Sequence, residues 1–248
     1  MSTHEQAFGI DFGGTGIKGA PVDLATGDLA GDRARIATPD PATPAAVAGV
    51  FVELLRRFAE SDGPVGVTVP GIVRRGVVHS AANIDPSWIG TDADRLFTDA
   101  TGREVHVVND ADAAGLAEVA YGAARGRSGL VIVTTLGTGI GSALVHDGVL
   151  VPNSELGHLE IEGHVAETRA ANSAREEHDL SMEHWARRLQ TYYRRLERLF
   201  SPELFVVGGG ISKRADEFLP LLDLDTEIVP ATLRNQAGII GAALHATR

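Results

Sequence analysis

One short phrase, written twice, limits what this chain can fold into. Gly14-Thr15-Gly16-Ile17 returns as Gly137-Thr138-Gly139-Ile140, half the chain further on. Its surroundings return with it. Residues 7–12 form an apolar run before the first copy, and residues 130–136 form one before the second. Both runs have the length and character of buried strands. After the first copy, residues 17–22 read as a strand, followed by a turn at Thr26-Gly27 and a third run over 28–36. After the second come residues 141–145, the hairpin signal Asp147-Gly148, and residues 149–152. Each half opens as strand, glycine loop, strand, turn, strand, which is the mark of an internal duplication.

The rest of the chain reads as α/β. Residues 44–60 carry Val47, Phe51, Leu54, Leu55 and Phe58 on one helical face, with Thr43 as N-cap and Pro44 in the first turn. Short strands are expected at 66–69, 105–108 and 204–207. Helices are expected at 111–124, at 182–200, and at 235–246. The 182–200 stripe is Met182, Trp185, Leu189, Tyr192, Leu196 and Leu199 or Phe200, and core packing explains it better than a dimer interface does. Ser212 is expected to cap a short helix reaching 222, and residues 162–179 read as loop.

Composition narrows the function classes. The 248 residues carry 33 acidic against 22 basic side chains, for a net charge of -11. That balance argues against an embracing nucleic-acid surface, though not against a small polyanion site. Cysteine is absent, which removes disulfides, iron–sulfur clusters and cysteine-ligated zinc. No apolar run has the ~18 residues of a membrane span, and the polar start reads as no signal peptide. A cytoplasmic protein without membrane or nucleic-acid partners is expected. Only Lys18 and Lys213 are lysine, and the first falls inside the repeated motif.

Three constellations carry chemistry. In the first, a buried strand delivers Asp11, then Gly13, Gly14, Thr15, Gly16 and Lys18. Glycines let backbone N–H groups face an anion, Thr15 adds a hydroxyl and Lys18 a point charge. Asp11 beside phosphates can hold hydrated magnesium. The structural alternative is a plain hairpin turn, and the second copy at Gly137, Thr138 and Gly139 argues against it. The loop is neither a Walker motif nor a dinucleotide fingerprint. In the second, Asn109-Asp110 stand at the mouth of a helix. Capping explains them; so does a general base, since a helix N-terminus favours negative charge. In the third, Glu155, Gly157 and His158 suit the vicinal hydroxyls of a sugar, against a purely structural histidine. A metal set with His164 and Glu167 is weak without cysteine. Gly71 and Asn83 follow short apolar runs, where loops line clefts. Gly209 and Lys213 belong to a third glycine loop, either an anion site or a tight crossover.

Taken in order, Asp-x-Gly-Gly-Thr-x-x-Lys from Asp11, Asn-Asp-Ala from Asn109, Leu-Gly-Thr-Gly-x-Gly from Leu136 and Glu-x-Gly-His from Glu155 resemble the ROK family of sugar kinases. The resemblance implies a duplicated, two-lobed, actin-like (ribonuclease-H-like) α/β fold, with a small lobe of 1–108 plus 235–248 and a large lobe of 109–234. It implies Asp110 as base toward the sugar 6-hydroxyl, with Gly71, Asn83, Asn109, Glu155 and His158 as sugar contacts. It turns Asp11, Gly14, Thr15, Lys18, Gly137, Thr138 and Gly139 toward the phosphoryl donor and magnesium. Gly13, Gly16, Gly209 and Lys213 are donor-side candidates beside them.

Most members carry a cysteine-rich zinc loop after Glu-x-Gly-His. Residues 159–175 hold no cysteine, so zinc is excluded, and Glu167 is the candidate for the sugar-binding glutamate that follows that loop. The runs 83–88, 136–144 and 151–158 are similar to the zinc-free polyphosphate glucokinases of actinobacteria. That implies glucose as acceptor, inorganic polyphosphate or else ATP as donor with Mg2+, and a homodimer. The rivals are an ATP-dependent hexose kinase, an actin-like protein, and a ROK repressor, which would need a helix-turn-helix ahead of Asp11.

Overall fold

The computed structural model describes residues 5–248 apart from residues 60, 62, 82 and 83. The chain divides into two compact units, Met1–Ala113 with Gln236–Arg248, and Ala114–Asn235.

In the first unit, β1 (Gln6–Gly13), β2 (Gly16–Asp23) and β3 (Ala34–Ile36) form an antiparallel meander. Helix α1 (Pro44–Arg56) follows, with the Thr43 hydroxyl accepting from Ala46 N. Strand β4 (Val65–Val69) then pairs parallel to β1. A small hairpin, β5 (Val73–Arg74) and β6 (Val77–Val78), leads through α2 (Ala93–Thr101) to β7 (Val105–Asn109), parallel to β4. The order is β3-β2-β1-β4-β7. Its core gathers Phe8, Phe12, Phe51, Trp88 and Phe97, with the rings of Phe51 and Phe97 stacked 4.4 Å apart.

Helix α3 (Asp110–Ala120) carries the chain into the second unit. There β8 (Leu130–Leu136), β9 (Ile140–His146) and β10 (Val149–Val151) form another antiparallel meander. A hairpin, β11 (Glu160–Ile161) and β12 (His164–Val165), precedes α4 (Glu167–Ala170), α5 (Asn172–Glu177) and the long α6 (Met182–Phe200). Strands β13 (Leu204–Gly208) and β14 (Glu227–Pro230) then add in parallel beside β8. The order β10-β9-β8-β13-β14 repeats that of the first sheet strand for strand. The duplication expected from the repeated phrase is therefore present as topology. Trp185, Leu189, Tyr192, Tyr193 and Leu196 of α6 are buried against Phe205 and Phe218, so its aromatic face is core.

Several elements differ from expectation. The third run is a strand only over Ala34–Ile36, because Leu29 makes just an isolated bridge to Val22. Helix α1 stops at Arg56, and of the two residues expected to end α6's apolar stripe it is Phe200 that packs on the core, with Leu199 54% exposed. The stretch 162–179 is not loop: it holds β12, α4 and α5. Ser212 caps no α-helix. It lies inside a 3-10 stretch, Gly210–Glu217, and donates its hydroxyl proton to Gly209 O. The helix expected at 111–124 begins one residue earlier and ends at Ala120.

The last helix, α7 (Ala237–His245), packs on β1 and β4 of the first unit. The approach is backbone to backbone: a Cβ on Gly66 would lie 1.8 Å from Ala242 O. No rotamer relieves a collision with a carbonyl, so Gly66→Ala must push the helix off the sheet. A loss of about 3 kcal/mol of stability is expected by chemical denaturation. An unchanged midpoint would mean that the helix shifts freely.

His245 sets a pH limit on the same packing. Burial, then the nearby charges of His106 and Arg248, lower its pKa from the ordinary 6.5 to about 4, against a small opposing contribution from a hydrogen bond to the Val107 backbone. The unfolded chain therefore binds a proton that the folded chain refuses between those values. Stability is intact above pH 6.5 and falls as pH drops toward about 4. The loss is about 3 kcal/mol at ~1.4 kcal/mol per pH unit, and a His245→Gln variant should show a flatter profile in thermal melts.

Candidate active site

The first glycine loop is the tip of the β1–β2 hairpin. Register places Asp11 opposite Lys18, so both side chains leave the same face, and Lys18 Nζ lies 3.1 Å from Asp11 Oδ2. Thr68, the one polar residue of β4, is buried beside them. Its hydroxyl donates to Asp11 Oδ1 at 3.3 Å and accepts from Phe12 N at 3.0 Å. Two donors from outside hold the loop carbonyls: Thr38 Oγ1 reaches Gly13 O at 2.6 Å, and Arg35 Nη2 reaches Thr15 O at 2.9 Å.

Strands β1, β4 and β7 are parallel, so their carboxyl ends lie along one edge of the sheet, where α/β proteins bind ligands. Gly13, Gly71 and Asn109-Asp110 all stand at that edge. Asn109 is 8% exposed and serves as a cap. Its Oδ1 accepts from Ala111 N at 2.9 Å and Asp112 N at 3.0 Å, and its Nδ2 donates to Gly71 O at 3.1 Å. This ties the turn after β4 to the start of α3. Asp110 is exposed at the helix N-terminus, its Oδ1 accepting from Ala111 N at 2.9 Å.

The second unit repeats the device. Its glycine loop is the tip of the β8–β9 hairpin, and Ser173 of α5 binds the loop carbonyls: Ser173 N reaches Gly137 O at 3.1 Å and Ser173 Oγ reaches Thr138 O at 2.6 Å. Glu167 of α4 closes the loop, its Oε2 accepting from Ile140 N at 3.0 Å. A Cβ on Gly139 would sit 2.5 Å from that oxygen. Glu167 Oε1 is 3.4 Å from His158 Nε2. The turn carrying Glu155 is pinned to β9: Ser142 Oγ donates to Ser154 O at 2.8 Å and accepts from Leu156 N at 2.9 Å. Burial raises the Glu155 carboxyl above the ordinary range; His158 opposes this and Glu167 adds to it. Glu155, His158 and Glu167 thus form one electrostatic cluster beside the glycine loop. Gly209, with φ 84°, packs against Leu136 O at the end of β8, so the third glycine loop adjoins the second.

The sequence profile described as the ROK family matches residues 7–171. The chain belongs to the ROK family. It is 52% identical over 244 residues to the polyphosphate glucokinase of Mycobacterium tuberculosis (strain CDC 1551 / Oshkosh), spanning 98% of this chain and 92% of that one. Among solved structures it is similar to the inorganic polyphosphate/ATP-glucomannokinase of Arthrobacter sp. strain KM, at 58% identity and a TM-score of 0.92, with 98% of each chain covered. A ROK glucokinase of Streptomyces griseus, solved with glucose and AMPPNP, matches at 25% identity and a TM-score of 0.82, over 97% of this chain and 99% of that one. The actin-like fold of ROK sugar kinases is therefore the fold of this chain.

Within this ROK chain, the first unit brings Asp11, Gly13, Gly14, Thr15, Gly16, Lys18, Gly71, Asn109 and Asp110 to one sheet edge and its hairpin. The second unit brings together Gly137, Thr138, Gly139, Glu155, His158, Glu167 and Gly209. Lys213 is exposed on the 3-10 stretch after Gly209. Asn83 lies outside the described residues. Thr68, Arg35, Thr38 and Ser173 were not singled out from the sequence. Only Thr68 left a trace there, as a lone hydroxyl in an apolar five-residue strand.

Proposed function

We propose that this ROK protein is a polyphosphate glucokinase, transferring the terminal phosphoryl group of inorganic polyphosphate to the glucose 6-hydroxyl. The observation that carries this reading is the near full-length likeness to the M. tuberculosis polyphosphate glucokinase. Asp110 accepts the hydroxyl proton as the oxygen attacks phosphorus. Asn109, Glu155, His158 and Glu167, with Gly71 and Asn83, hold the sugar. Gly13, Gly14, Thr15 and Gly16 of one unit, and Gly137, Thr138, Gly139 and Gly209 of the other, hold the donor, with Lys18 and Lys213 adding charge. Phosphoryl transfer asks mainly for position and electrostatics, which such groups supply.

Mg2+ belongs to this reading. No cluster of three carboxylates or histidines stands ready for a metal among the described residues. Asp11 beside the loop suits an ion held by one carboxylate, water and donor phosphates, as Mg2+ prefers. Bound there, the ion would neutralise phosphate charge. A cytoplasmic homodimer completes the proposal; exposed Val149 and Val151 on edge strand β10 support a partner surface, and light scattering tests it.

A coupled assay with polyphosphate and ATP side by side, on glucose and on mannose, tests the reading. Turnover of glucose with polyphosphate is expected, and no glucose phosphorylation from polyphosphate would overturn it. A second reading, use of ATP and of mannose, is favoured by the glucomannokinase likeness. Lys18→Ala should raise the KM for polyphosphate about tenfold, the worth of one charge-assisted contact, with the glucose KM unmoved. A change confined to glucose would remove Lys18 from the donor side.

A further inference from the structure

Strand β4 is a fully buried run, Val65-Gly66-Val67-Thr68-Val69, in which one hydroxyl interrupts the valines. Valine has nearly the same shape and would leave no polar atom to satisfy. A buried hydroxyl costs stability unless it is bonded, and that of Thr68 is bonded twice.

The strand register shows what those bonds do. Asp11 opposite Thr68 is the last rung between β1 and β4. Beyond it, β1 stays with β2 as far as Gly13, and β4 stays with β7 as far as Val69. The two strands therefore part at this rung, and the sheet opens there at its carboxyl edge. Phe8 N donates to Pro64 O at 2.9 Å, and alternation along the strand turns Phe12 N to the same side. A continuing ladder would give Phe12 N a carbonyl of β4. The Thr68 hydroxyl accepts it instead, at 3.0 Å, and sends its own proton to Asp11 Oδ1 at 3.3 Å. From α7, a Cβ on Gly238 would lie 3.0 Å from that same oxygen, so Oδ1 has little room to swing. Oδ2 is left on the hairpin side, 3.1 Å from Lys18 Nζ.

We propose that Thr68 is a positioning residue of the donor side: by fixing Oδ1 of Asp11, its hydroxyl presents Oδ2 to the cation that accompanies the donor phosphates. The inference rests on the donor-side reading of Asp11 given above and adds the group that aims it. A carboxylate on a freely turning bond offers a metal ion either oxygen or neither. One held from behind by a hydrogen bond offers the same oxygen every time, at no ordering cost when the ligand arrives.

Two substitutions separate the hydroxyl from the shape. Thr68→Val keeps the shape and loses the hydroxyl; Thr68→Ser keeps the hydroxyl. Mn2+ binding with tripolyphosphate, read by water-proton relaxation without glucose, should weaken about tenfold in Thr68→Val and stay within about twofold of wild type in Thr68→Ser. In turnover, the polyphosphate KM of Thr68→Val should be raised at limiting Mg2+ and return toward wild type as Mg2+ saturates. The glucose KM should not move. That control is sharp because Val69, the next residue, pairs with Asn109, so a general loosening of the edge would reach the sugar side too. Wild-type Mn2+ binding in Thr68→Val overturns the proposal, as does Thr68→Ser behaving like Thr68→Val. A glucose KM raised equally also overturns it, since Thr68 would then only support the sheet edge. So does a polyphosphate KM that saturating Mg2+ leaves raised, which would place the effect on the loop backbone through Phe12 N. The Mn2+ measurement needs no turnover. A wild-type chain that fails to phosphorylate glucose overturns the proposed function, while the binding comparison still decides the role of Thr68.

Discussion

Asp110→Asn should lower kcat for glucose phosphorylation by about three orders of magnitude, within the usual ~10²–10⁴ worth of a general base. The glucose KM should stay within about threefold, since the amide keeps the shape and an acceptor oxygen. The substitution is clean for a structural reason. Asp110 is exposed, and the bond that its Oδ1 accepts from Ala111 N at 2.9 Å can be accepted equally by an Asn Oδ1. The cap that holds α3 is Asn109, which is untouched. An unchanged thermal midpoint with collapsed kcat would therefore assign chemistry to Asp110. Near-normal turnover would show that the carboxylate is a second helix cap, and the base would have to be sought elsewhere.

The duplication was legible because glycine loops leave a literal trace. Gly14-Thr15-Gly16-Ile17 and its second copy stand at equivalent hairpin tips, and the two sheets share one strand order. Alternation and apolar runs were enough for α6, since its Trp185, Leu189, Tyr192 and Leu196 recur at helical spacing. Short elements were not legible. Helix α4 has four residues and α5 has six, too few for a period to show, so 162–179 looked like loop. Yet these helices place Glu167 and Ser173 on the second glycine loop. Arg35 and Thr38 escaped for a different reason. They bind carbonyls of the first loop from about 20 residues away, and backbone acceptors have no sequence signature. Asn109 was ambiguous between cap and ligand. Its amide bonds to Ala111, Asp112 and Gly71 establish the capping half.

The two loops share more than their glycines. In each, side chains from neighbouring elements hold the loop carbonyls: Thr38 and Arg35 in one unit, Ser173 in the other. With the carbonyls engaged, the loop is fixed before any ligand arrives. Preorganisation of this kind lowers the cost of ordering a site around a highly charged donor. It also separates the two tasks within the second unit. Glu167 accepts from Ile140 N with one oxygen and turns the other toward His158, so the loop and the Glu155–His158 cluster are joined through one carboxylate.

That junction makes Glu155 the position where acid should be felt first. Glu155→Ala is expected to cut kcat/KM for glucose by about two to three orders of magnitude, because sugar hydroxyls that lose a half-buried carboxylate acceptor are left unpaired. The pH dependence follows from the raised pKa. In the proposed role, Glu155 needs its ionised carboxyl to hold the sugar, and burial makes that form harder to keep, with Glu167 adding to the effect and His158 resisting it. As pH falls, Glu155 takes up its proton before an ordinary glutamate would, so the glucose KM should climb at a pH above the usual carboxylate range. Glu155→Gln separates charge from shape. It should hold a KM raised about tenfold that no longer changes across that range, while wild type converges on it in acid. A KM profile equally steep in Glu155→Gln would place the titrating group elsewhere, with Glu167 the next to test. Conversion of Glu167 to Gln, however, also alters the acceptor for Ile140 N, so its effect should reach the KM for polyphosphate as well as that for glucose. Glu155 should move the glucose KM alone, and that split tells the two carboxylates apart.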